Sequence, residues 1–304
     1  MRSTHLYVGR VACDDDLASH AVGVDDKLHG HVHNAACRYR VVSRINPHMK
    51  VGAVDFARAR AQHRDFVAAL RFCGASVEQL PFVHGCPDSV FVKDMGLLTD
   101  GVVGPRALLG SMRHEERAPE QEPRRRHLQR HHFTVQKSSA VFEGGDVVVG
   151  PRAVFFGIGE RSTPEAAVAI ATFLGRRVQV LELIDEQFFH LDTCLAVLDD
   201  GTALVAEGAL SPSSLRAIEQ HPGIARVVMV DREAALLFGL NVVQIGDAVV
   251  VHAAAKAAHK TLQQLGKMPV VVELSEFLYA GGGAACLVSK VHEQRVLAEQ
   301  SVAA

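Results

Sequence analysis

Apolar runs along this chain are short and return in a fixed order. Residues 54–75 carry Phe56, Phe66, Val67, Leu70 and Phe72 in an amphipathic pattern that Gly74 stops, which predicts a helix. A β-run is predicted at Val77–Phe82. After it, polar clusters alternate with paired apolar runs. Ser89–Asp94 leads into Met95–Leu98 and then Ala107–Leu109. Val141–Phe142–Glu143 leads into Val147–Val149 and Ala153–Phe156. Phe188–His190 leads into Cys194–Leu198 and Thr202–Val205. Leu237–Asn241 leads into Val242–Val243 and Ala248–Val251. Helices predicted at Pro164–Leu174, Pro212–Gln220 and Ala255–Leu265 are each followed by a strand, at Val178–Leu181, Arg226–Val230 and Pro269–Val272. The unit is strand, tight turn, strand, helix, strand, polar cluster. It recurs at roughly 45–50 residues, and about five copies fit. Adjacent strands with a crossover helix give an α/β class. In a closed circular array the polar clusters would all face the axis. Residues 1–38 lack this periodicity and are read as an irregular arm or lid. Residues 39–304 are read as a single α/β domain.

Composition narrows the function classes. Hydrophobic residues make up 48% and charged residues 22%, as in ordinary globular proteins. A net charge of -2 offers no general basis for binding nucleic acid or an anionic membrane. No apolar run is long enough to span a bilayer, and the N-terminus develops no signal core. The six cysteines form no CxxC pair, so a reducing cytoplasm is the expected compartment. Homo-oligomer formation stays open. The charge-rich stretch Glu115–His132 reads as a solvated surface helix or loop.

Cys286 closes the run Gly281-Gly282-Gly283-Ala284-Ala285-Cys286. A lone cysteine is most often a core residue, but three glycines permit close backbone approach and hence a ligand near the sulfur. His190 and Asp192 share a face if the segment is extended, which sets an acid/base beside an anion. Glu143 in Glu143-Gly144-Gly145-Asp146 and Asp94 in Phe91-Val92-Lys93-Asp94 are carboxylates within apolar runs, costly to bury unless a cation meets them. Lys93 should face away from Asp94 in an extended strand. Carboxylates without a fixed basic partner imply that the ligand brings the positive charge. The set suits attack by sulfur on a cationic carbon. No cofactor or metal is required. The cluster His29-Gly30-His31-Val32-His33 lacks a matched fourth ligand, and adventitious or no metal binding is expected there.

Together the Asp94 element, the Glu-Gly-Gly-Asp at 143–146, the His-x-Asp at 190–192 and the glycine-rich cysteine at 286 resemble the guanidino-group modifying superfamily, which includes dimethylarginine dimethylaminohydrolases, arginine deiminases and amidinotransferases. The resemblance runs from about Cys37 to Val291. It implies a five-bladed α/β propeller (pentein fold) and a small-molecule guanidino substrate. It also implies roles. Cys286 would attack the guanidinium carbon, His190 would move protons, and Glu143 would orient His190 or the substrate. Asp94 and Asp192 would hold guanidinium nitrogens. Arg161 would bind the substrate carboxylate, with Arg113 as a second candidate.

Within the resemblance, the compact chain and the Ala284-Ala285-Cys286 motif are closer to a dimethylaminohydrolase-like enzyme that would yield citrulline. Asp192, an extra acceptor for an unsubstituted guanidinium, favours arginine deiminase. Amidino transfer and non-catalytic guanidine binding are the further alternatives.

Overall fold

The computed structural model describes residues 4–13 and 34–293. Within them the repeat is visible in the strand pairing. The first unit joins β1 (His5–Gly9) and β2 (Ser76–Leu80) to the last strand, β15 (Val288–His292). The second comprises β3 (Gly96–Thr99), β4 (Arg106–Ser111) and β5 (Thr134–Val141). The third comprises β6 (Val147–Val149), β7 (Val154–Ile158) and β8 (Gln179–Glu182). The fourth is β9 (Leu195–Val197), β10 (Thr202–Ala206) and β11 (Arg226–Val230), and the fifth β12 (Val243–Ile245), β13 (Ala248–His252) and β14 (Met268–Val272).

In every unit the central strand pairs antiparallel with one neighbour and parallel with the other. A helix lies in each parallel crossover: α1 (Phe56–Phe72), α2 (Gln121–Arg130), α3 (Ala166–Leu174), α4 (Pro212–Glu219) and, after the short α5 (Arg232–Leu236), α6 (Lys256–Gln264). The first two units fuse into a six-stranded sheet through parallel pairing of β15 with β3. The other three sheets have three strands each. This is an α/β fold with mixed sheets. Strands β10 and β13 are buried throughout, which accounts for their unbroken apolar sequence.

Helix α1 begins where Asp55 accepts a hydrogen bond from the Arg58 N–H. It buries Ala59, Gln62, His63, Phe66, Val67 and Leu70, a stripe at helical spacing. Phe72, expected on that stripe, is 85% exposed because it falls on the opposite side of the last turn.

Two organisational expectations are corrected. Irregular structure is expected over 1–38, yet His5–Gly9 is a strand paired on both edges, between β15 and the edge strand β2, and Leu6 and Val8 are core residues. One isolated strand is too short to show periodicity by itself. The stretch 115–132 is not simply a solvated face, because Arg117, Glu120, Gln121, Arg124 and Leu128 are buried. The 29–33 histidine cluster lies outside the described residues.

Three 3-10 turns, Val92–Met95, Gly144–Asp146 and Leu191–Thr193, directly precede or open onto the first strands of the second, third and fourth units. They pack against one another in sequence. The polar clusters thus sit at equivalent positions and converge.

Candidate active site

The tight turns bring the chemistry together. Turn Val92–Met95 aims both Lys93 and Asp94 inward, because successive residues of a 3-10 turn do not alternate faces as a strand does. The expectation that Lys93 faces away is therefore corrected. Its ammonium lies 2.9 Å from Asp192 Oδ2. His190 and Asp192 likewise stand on a 3-10 turn instead of a strand. Gly145 lets this packing happen: a Cβ there would lie 2.8 Å from Asp94 Oδ1 and 2.8 Å from the His190 ring.

His190 is 1% exposed and surrounded by carboxylates. Its Nε2 lies 3.2 Å from Glu143 and 3.6 Å from Asp94, and its Nδ1 lies 3.2 Å from Asp146. The ring N–H directions do not meet those oxygens well enough for hydrogen bonds, so these are charge contacts. Burial opposes the imidazolium, but Asp146 and Asp94 outweigh it and hold the ring well above the usual histidine range. Glu143, fully buried, is pushed up by burial and pulled down further by His190 and Arg161, so it stays ionised.

Cys286 is 4% exposed. Its N–H donates to Asn241 Oδ1 at 3.1 Å, and the Asn241 amide donates to the Asp192 carbonyl at 3.2 Å. One asparagine thereby ties the thiol's backbone to the 191–193 turn. The sulfur lies 4.0 Å from Asp192 Oδ2. Burial, then Asp192 and Asp94, push the thiol well above its ordinary value. In the free protein the sulfur is a thiol that needs an arriving cation to ionise.

Cys286, His190, Asp94, Arg117 and Arg161 line one cavity of about 20 Å³, with Asp88, Phe91 and Phe189 among its other walls. Glu143 stands behind it, joined to both His190 and Arg161. The Arg161 guanidinium donates to Glu143 Oε2 at 3.1 Å and to the Ile45 carbonyl, and it stacks over Phe189. Its Nε is buried with no hydrogen-bond acceptor among the described residues. Arg113 does not reach the cavity. Its side chain is exposed, and its contribution is a backbone N–H donated to Glu143 Oε1 at 2.9 Å.

Several residues that shape the site escaped the sequence reading. Arg117, 4% exposed, contacts Asp94 at 2.5 Å and Glu120 at 2.8 Å. With Lys93 and Arg161 it shows that fixed basic residues do accompany the carboxylates, contrary to expectation. The signal was the spacing of Arg117, Glu120 and Arg124, which places charges on one helical face. Asp146 stood inside the quoted motif with no role. It accepts from Ser162 Oγ at 2.6 Å and from the Leu191 N–H at 3.0 Å, fixing the turn that carries His190. Asn241 gave no sequence signal.

Asp94, Glu143 and His190 offer ligand atoms within 4.8 Å of one another. A cationic His190 cannot ligate a metal, and Arg117 and Arg161 already balance these acids.

The family described as "N,N dimethylarginine dimethylhydrolase, eukaryotic" matches residues 48–293. The chain belongs to the dimethylarginine dimethylaminohydrolase family. It is 34% identical to the N(G),N(G)-dimethylarginine dimethylaminohydrolase of Mycobacterium tuberculosis, over 84% of this chain and 83% of that enzyme. It is 31% identical to the bifunctional arginine dihydrolase/ornithine cyclodeaminase ArgZ of Synechocystis, over 82% of this chain but 36% of that longer protein. The crystal structure of the N-terminal domain of ArgZ, a cyanobacterial arginine dihydrolase bound to product, superimposes with a TM-score of 0.82 and 28% identity, covering 98% of this chain and all of that domain. The family member is a hydrolase of guanidino C–N bonds, of the dimethylarginine dimethylaminohydrolase type. Among the described residues no helix is long and apolar enough to cross a membrane.

Proposed function

We propose that this chain converts a methylated arginine to citrulline and an amine through a thiouronium on Cys286, with its five units arranged as propeller blades around the site. The observation that carries the reading is the shared cavity of Cys286 and His190, walled by Asp94 and backed by Glu143.

The guanidinium enters between the carboxylates, and its positive charge favours loss of the Cys286 proton to solvent. The thiolate adds to the guanidinium carbon. His190, already an imidazolium, gives its Nε2 proton to the departing amine as the C–N bond breaks. Neutral His190 then takes a proton from water. The resulting hydroxide adds to the thiouronium carbon, sulfur leaves, and the ureido product forms. Asp94 and Asp192 act as guanidinium acceptors. Arg161, whose Nε makes no hydrogen bond among the described residues, takes the substrate carboxylate. Arg113 is better suited to the rim than to the cavity. The six cysteines, none of them in a disulfide among the described residues, fit a cytoplasmic setting. Homo-oligomerisation belongs to the same reading.

Asp192 favours a second reading, hydrolysis of unsubstituted arginine. It stands 4.0 Å from the sulfur, where an extra acceptor penalises a methylated nitrogen that cannot donate. A panel of arginine, monomethylarginine, asymmetric dimethylarginine and agmatine, scored for ureido product and released amine, separates the two. Dimethylarginine turnover that disappears in Cys286→Ser is expected. Turnover of arginine alone selects the second reading, and product formed by Cys286→Ser overturns both. Asp192→Asn should shift preference toward the methylated substrate.

A further inference from the structure

Apart from the residues that line the catalytic cavity, Glu78, His127 and His131 face one another, with His5 beside Glu78. His5 comes from β1, Glu78 from β2, and His127 and His131 from α2 and its C-terminal end. The two helix-borne histidines are four residues apart, so their rings lie on one face, stacked with centroids 4.3 Å apart and planes 26° apart. Glu78 stands opposite: its Oε1 is 3.3 Å from His131 Nδ1 and its Oε2 is 3.9 Å from His5 Nε2. Glu78, His127 and His131 each present a ligand atom within 4.8 Å of the others.

We propose that Glu78, His127 and His131 bind a zinc-class divalent cation, with His5 as the nearest candidate for the fourth position.

Two observations beyond proximity point to a ligand. The Nε2 atoms of His127 and His5 are both buried and lack a hydrogen-bond partner among the described residues, although each belongs to a ring beside an acid. An ordinary ion-pair cluster would use such atoms. The separation of Glu78 Oε1 and His131 Nδ1, 3.3 Å, also matches the edge of a tetrahedron whose ligands stand about 2.0–2.1 Å from zinc. Arg10, Arg124 and Arg130 are the positive groups near His127. Of these, Arg124 is tied to the carbonyls of Pro81 and Ser89. The single carboxylate and neutral imidazoles suit a borderline-soft cation better than calcium or magnesium, which require several oxygens.

The experiment is calorimetric titration of tag-free, chelator-stripped protein with zinc chloride, repeated with cobalt(II) to read coordination geometry from its visible spectrum. One zinc per chain and a tetrahedral cobalt spectrum are expected, both retained in Cys286→Ser and both lost in His127→Ala and Glu78→Gln. His131→Gln, at the half-exposed end of the helix, provides the same test should either of those variants fail to fold. Absence of zinc uptake, uptake unchanged in His127→Ala or His131→Gln, or uptake that vanishes in Cys286→Ser would overturn the proposal. The last result would move the metal to the catalytic sulfur.

Discussion

The Lys93 ammonium and the Asp192 carboxylate meet at 2.9 Å beside the Cys286 sulfur, joining the second unit of the fold to the fourth. Burial raises the Asp192 carboxyl despite Lys93. Removing the lysine leaves a buried acid alone, which typically costs about 3–5 kcal/mol. Lys93→Met is expected to lower the denaturation midpoint strongly. Lys93→Met combined with Asp192→Asn should recover part of that loss, read as the coupling energy of a double-mutant cycle. Additive losses would mean that the two side chains do not depend on each other.

In the proposed mechanism His190 supplies the proton for amine departure and the base for the water step, so its loss should strand the reaction midway. In His190→Gly, incubation with a guanidino substrate is expected to leave added mass on Cys286, located by peptide mass spectrometry. An adduct on Cys86 or Cys194, which are buried elsewhere, would break the assignment of the nucleophile.

Gly145 is a space requirement. A methyl group there meets both Asp94 and the His190 ring at 2.8 Å. Gly145→Ala should preserve the far-ultraviolet circular dichroism spectrum while reducing kcat far more than it raises KM. A variant with wild-type kcat would show that the imidazole position tolerates displacement.

Asp88 lies in the cavity wall, its Oδ1 without a hydrogen-bond partner among the described residues. Burial pushes its carboxyl up from 3.8 to about 7, against the pull of Arg117. The folded protein then holds this proton more tightly than the unfolded chain. The contribution to stability is complete below about pH 4 and is lost as pH rises toward 7. Asp88→Asn should flatten that decline in a series of melting curves from pH 4 to 8. An unchanged slope would assign the decline to other groups.

Much of the fold was legible because period-2 strands and amphipathic helices recur, and recurrence makes each weak signal count several times. His5–Gly9 was missed for the opposite reason: its partners, residues 76–80 and 288–292, are remote in sequence. Cys286, His190, Glu143 and Asp94 were legible because polar groups stood among apolar ones. Arg117 was hidden by a simple average. Its segment is dominated by exposed charges such as Arg125 and Arg126, and only spacing distinguishes the buried face from the wet one. Lys93 and Asp192 were placed by strand geometry where 3-10 turns govern, and that changes which side chains meet. Arg161 lines the cavity, but its pairing with Glu143 depends on a contact no local pattern encodes.

The pairing of β1 with β15 has a consequence for synthesis. Tyr7 lies opposite Ser289, so one edge of this strand waits for residues made 282 positions later (289 − 7). A ribosome releases the N-terminal segment long before its antiparallel neighbour exists, and Cys286 itself emerges only just ahead of that neighbour. The nascent enzyme is therefore expected to stay open, with an unsatisfied strand edge for chaperones to guard, until β15 is translated.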